Sequence, residues 1–178
     1  MPEALPISEV AFPPIVTEPL DPAWDLGIAA QHIVLSRFRS LLEQRQVVWD
    51  NADLEGVHEI RVAARRTRTA LQTLSVLWDE PDLRRFERYL ERFATEFGVA
   101  RDLDVMIIYL RELLAQAAGE RASALSWLLE RNIERRAAEQ DKLLQVLHQF
   151  ERDSFPAAFV AYFSQLPVDL WSLGVQHG

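Results

Sequence analysis

Leu83, Phe86, Leu90, Phe93 and Phe97 recur at alternating steps of three and four residues. That spacing lines five large apolar side chains along one stripe of an α-helix, whereas a strand, with a period of two, would scatter them over both faces. The same rhythm runs through most of the chain. Leu26, Ala29/Ala30, Ile33, Phe38, Leu41 and Leu42 predict a first helix from Asp21-Pro22 to about Trp49. Val57, Ile60, Ala64, Leu71, Leu74 and Trp78, with Thr67 filling the gap, predict a second over about 54–78. The polar break Asp50-Asn51-Ala52-Asp53 is its expected cap. Asp79-Glu80-Pro81-Asp82 separates it from the third.

After Gly98 a fourth helix is expected from Arg101-Asp102 through Leu103, Met106, Ile107, Leu110, Leu113 and Leu114, with Asp102 or Asp104 accepting from free backbone amides. Ala117-Ala118-Gly119 closes it. A long fifth helix, about 121–151, carries Leu125, Leu128, Leu129, Ile133, Leu143, Leu144, Leu147 and Phe150 on its apolar side. Phe155 to Leu166 reads as a shorter sixth, started by Pro156. No β-type alternation of useful length intervenes, so the expected fold is all-α, an antiparallel helical bundle with long helices and short connections.

Residues 1–22 hold six of the nine prolines and no basic residue, and read as a Pro-rich acidic lead or linker. Residues 23–178 are then one helical domain of ordinary size, large enough to bury a core. The absence of cysteine removes disulfides and thiolate metal sites. No window approaches a membrane span and the N-terminus lacks a basic-then-apolar leader, so a soluble, cytoplasmic protein is the default expectation.

Charge is distributed unevenly. The run His58-Glu59-Ile60-Arg61-Val62-Ala63-Ala64-Arg65-Arg66-Thr67-Arg68 sums to +3 in a chain of net charge −8, leaving −11 for the remainder. His58, Arg61, Arg65 and Arg68 share one helical stripe about 15 Å long, one residue round from the apolar seam, with Arg66 about 100° off it. Guanidinium groups offer rigid forks of donors that match phosphate oxygens, so a polyanion is the first ligand class implied. Only Lys142 among the 19 basic residues is lysine. That excess of arginine fits phosphate binding and a biased genome equally well.

Other chemistries find less support. His58-Glu59-Ile60-Arg61-Val62 begins like a zinc-protease helix but has Val62 where the second histidine must stand, and His32, His148 and His177 are scattered. No metal site or cofactor is expected. There is no Gly-x-Ser-x-Gly elbow, cysteine nucleophile or glycine-rich phosphate loop, so no catalytic residue is assigned and no enzyme is expected. Asp102 and Asp104 are explained by capping and ion pairing to Arg101. Arg84, Arg85, Arg88 and Arg92 alternate with Asp82, Glu87, Glu91 and Glu96 and read as a solvated, ion-paired face. Arg37, Arg39 and Arg45 on the first helix, and Arg131, Arg135 and Lys142 on the fifth, could join the main stripe if packing brings their faces together.

The run Val57 to Arg68, followed some thirty residues later by Gly98-Val99-Ala100-Arg101-Asp102-Leu103-Asp104-Val105, resembles the signature of the CHAD family, the conserved histidine α-helical domains. The resemblance covers roughly residues 25–165. It implies a non-catalytic helical domain that binds inorganic polyphosphate through a basic surface, often beside CYTH-type domains or in polyphosphate granules. Carried over by position, it implies ligand contacts at His58, Arg61, Arg65, Arg66 and Arg68, with Arg101 either a contact or an ion-pair partner. Arg37, Arg45, Arg131, Arg135 and Lys142 are possible additional contacts.

A complete domain of this family has two similar halves, the second with its own histidine and basic helix, and this sequence carries only the first. The expectation is a fragment or a natural half that pairs with itself or another half, because a surface normally covered would be partly apolar. Two other function classes stay open on the residues alone: sequence-independent nucleic-acid binding and a helical interaction scaffold. A pI near 5.0 and the lack of an aromatic residue inside the basic run weigh against the first. The acidic lead could also fold back and screen the arginines.

Overall fold

The computed structural model describes residues 22–50 and 54–165. The acidic lead before Pro22, the expected cap residues 51–53, Leu166 and His177 lie outside the described residues. Within them the chain is all-α, as its periodicity predicts. The helices are α1 (Leu26–Asp50), α2 (Leu54–Thr73), α3 (Glu80–Glu96), α4 (Gly98–Ala115), α5 (Gly119–Arg152) and α6 (Phe155–Phe163).

Asp25 starts α1 by accepting a hydrogen bond from the Gly27 amide at 2.7 Å, so the helix begins after the Asp21-Pro22 step expected of it. α2 stops short of residue 78. The chain tightens into a 3₁₀ turn over Ser75–Leu77, which buries Leu77 and leaves Trp78 edge-on to Phe163 at 5.1 Å. Thr67 is fully buried in the seam because its hydroxyl donates to the Ala63 carbonyl at 2.9 Å.

α1, α2 and α3 lie side by side, and α6 with the C-terminal part of α5 covers the core they share. That core is built on aromatics. Phe38 stacks on Phe159 at 4.0 Å, Tyr89 on Phe155 at 3.7 Å, and Phe93 meets Phe150 at 4.7 Å. All five residues of the α3 stripe are buried. The Tyr89 hydroxyl donates to Asp153 Oδ2 at 2.7 Å, and burial first, then that carboxylate, pushes the phenol well above its usual range.

α4 and α5 form a separate hairpin. Leu103, Ile107 and Leu110 are buried along it, while the buried residues of α5 are Leu143, Leu147 and Phe150, all near its C-terminal end. Leu128 and Ile133, read as apolar-side residues, are each 41% exposed. Two expectations about α4 need correction. The helix begins at Gly98, not at Arg101-Asp102, with no side-chain cap, so Asp102 and Asp104 fall beyond the positions where a cap can act. Asp104 instead is fully buried and accepts from Arg136 Nε of α5 at 2.7 Å. Gly119, with φ of +60°, turns the chain between the two helices in a conformation that costs glycine little.

Candidate polyanion-binding grooves

His58, Arg61, Arg65 and Arg68 project from one stripe of α2 toward α3, and they line a groove of about 420 Å³ between the two helices. Its apolar wall comes from Val62, Ala64, Leu90 and Ala94. α3 also contributes Glu91 and Thr95. The groove is completed by Arg101, delivered by an abrupt corner in which the single buried residue Phe97 links α3 to α4. One turn of α4 then carries Arg101 to the same opening.

Gly98 leaves room for an arginine at that corner. A Cβ at this position would lie 2.9 Å from Arg61 Nη1, closer than side chains pack, so the missing side chain is the space in which the Arg61 guanidinium sits. A side chain at residue 98 would displace the Arg61 guanidinium from this position.

The groove is unevenly neutralised. Glu91 Oε1 lies 3.0 Å from Arg68 Nη1, and His58 Nε2 lies 3.9 Å from Glu59 Oε1, beyond hydrogen-bonding reach. Among the described residues Arg61, Arg65 and Arg101 make no ion pair. In a chain with 27 acidic and 19 basic residues, three clustered guanidiniums left unpaired concentrate positive potential at one opening. The groove holds donors and cations; its single carboxylate already faces one of them.

Arg66 lies outside this groove. Its 100° offset carries it to the other flank of α2, where it lines a second depression with Arg37, Arg65, Thr69 and Thr73, over Ile33, Ala70 and Leu74. Arg65 borders both. The remaining basic candidates are not brought to either groove. Arg45, 12% exposed, is paired with Glu151 of α5 at 3.0 Å and ties the first helix to the fifth. Arg131 pairs with Glu134 at 2.9 Å on exposed α5, and Arg135 is exposed on the same helix. Lys142 pairs with Glu139 and borders a cleft between α3 and α5.

Glu91, Thr95 and Gly98 were not legible as site residues. Glu91 belongs to a run in which acids and arginines alternate, and nothing in that run says which acid faces α2. No group of three or more histidine or acidic residues placed to hold a metal occurs among the described residues. No described helix is long and apolar enough to cross a membrane.

Comparison with curated proteins and with solved structures returns no match. The family model described as CHAD domain matches residues 32–171, a span that contains both grooves, and the chain therefore belongs to the CHAD domain family.

Proposed function

We propose that the protein binds inorganic polyphosphate in the α2–α3 groove, without cleaving it. The observation that carries this reading is the gathering of Arg61, Arg65 and Arg101, unpaired among the described residues, with His58 and Arg68 around one opening of an acidic protein. Phosphate oxygens would satisfy those forked donors with charge-assisted bonds. No aromatic residue lines the groove, so a ligand bearing bases gains no stacking there and a bare phosphate chain loses nothing by lacking them.

Titration of the full chain with long-chain polyphosphate tests the proposal. Submicromolar affinity is expected, falling steeply with salt as counterions are released, with weaker binding to RNA of equal charge. Charge-assisted contacts are each worth about 1.5–3 kcal/mol, so Arg61→Ala with Arg65→Ala should weaken binding by tens-fold or more. Unchanged affinity in that double variant would remove the groove from the function.

The partner we assign beyond the ligand is a second copy of the chain, through the α4–α5 hairpin. Val105, Tyr109, Trp127 and Leu128 are 41–61% exposed there. The charges beside them are self-complementary. In an antiparallel pairing of α5 centred between Trp127 and Leu128, Glu120 meets Arg135 of the second copy and Arg121 meets its Glu134.

A further inference from the structure

Arg65 is the one basic residue that borders both depressions flanking α2. On one side stand His58, Arg61, Arg68 and Arg101; on the other stand Arg37 and Arg66 with the hydroxyl-bearing Thr69. The ridge between them carries no carboxylate, since no acidic residue occurs from Ile60 to Trp78. No acidic residue lines the second depression either, and Arg37 and Arg66 make no ion pair among the described residues. Both are exposed, in a chain whose net charge is −8.

Arg37 and Arg66 add two positive charges on a flank without a carboxylate among the described residues, and they are continuous with the first groove through Arg65. We infer that a single phosphate chain straddles α2, running from the Arg101 end of the α2–α3 groove over Arg65 into the Arg37–Arg66 depression. The inference rests on the polyphosphate reading and adds a length requirement to it. A helix with its side chains is about 10–12 Å across, so an anion must have at least that contour to engage both flanks. A shorter one occupies a single flank. Joining two sites on one ligand makes the second engagement intramolecular, which raises affinity without any new kind of contact.

Tripolyphosphate and long-chain polyphosphate, titrated calorimetrically into the full chain, separate the cases. In the wild type, long chains should bind much more tightly per molecule than tripolyphosphate. Arg37→Ala with Arg66→Ala should lower long-chain affinity by about tenfold or more, while tripolyphosphate in the remaining groove keeps its affinity within about twofold. Arg61→Ala should weaken both ligands. Because Arg37 and Arg66 are exposed, the double variant should keep its wild-type helical signal and melting temperature, which checks its fold. Equal losses for both ligands, or no loss for long chains bound normally by the wild type, would overturn the straddling path and leave the α2–α3 groove standing. Failure of the wild type to bind long chains at all would instead remove the polyphosphate reading itself.

Discussion

Glu91 holds its carboxylate 3.0 Å from Arg68 in a groove that carries no other acidic side chain, so an incoming phosphate must compete with it. An exposed pair of this kind is worth about 0.2–1 kcal/mol, and Glu91→Gln should therefore tighten polyphosphate binding by up to about fivefold at low salt. A titration in which the variant binds no better than wild type would show that the carboxylate is not in the ligand's way. Gly98 offers a test of the opposite kind. Gly98→Ala adds a methyl 2.9 Å from Arg61 Nη1, and the flexible guanidinium, not the backbone, would yield. Alanine also favours the helix by up to about 1 kcal/mol over glycine. The melting temperature should stay level or rise while polyphosphate affinity falls several-fold, a combination that a merely destabilised protein would not give. Both residues stood in the sequence within recognisable runs. Their roles depend on which atoms of another helix lie opposite, which spacing along one helix does not specify.

Helices explain how the site is held. The α2 stripe was readable because His58, Arg61, Arg65 and Arg68 obey the helical period, and the buried seam of Val57, Ile60, Ala64, Thr67 and Leu71 turns that stripe toward α3. The boundaries were less readable. α2 yields to a 3₁₀ turn and α4 starts at Gly98, because both ends are decided by how Leu77 and Phe97 bury rather than by local capping residues. The α4–α5 hairpin, which carries Arg101 at its root, is tied by the buried Asp104–Arg136 pair at 2.7 Å. Removing one member leaves the other charge buried and uncompensated. Asp104→Ala should cost about 3–5 kcal/mol in a urea unfolding experiment. A loss below about 1 kcal/mol would mean that Arg136 finds other partners without strain.

The whole molecule is acidic and binds, in our reading, through a region where that balance is reversed. Among its exposed apolar residues, those on the α4–α5 hairpin give the quaternary prediction. Light scattering should report a dimer that dissociates on dilution, and Leu128→Glu should shift the protein to monomer while leaving the polyphosphate groove, on α2 and α3, competent. A wild type that stays monomeric at high micromolar concentration would exclude the second copy as the occupant of that face. The sequence by itself determined an all-α chain, the inward faces of α2 and α3, and the stripe that carries the arginines, because all of these follow from a period of 3.6 residues and its apolar pattern. Only the tertiary structure decided that Arg101 joins that stripe, that Arg66 faces Arg37 across another flank, and that Arg45 is spent on Glu151. Those outcomes depend on the register and packing of helices far apart in the chain, and no periodicity within a single helix encodes which residue of its neighbour it will meet.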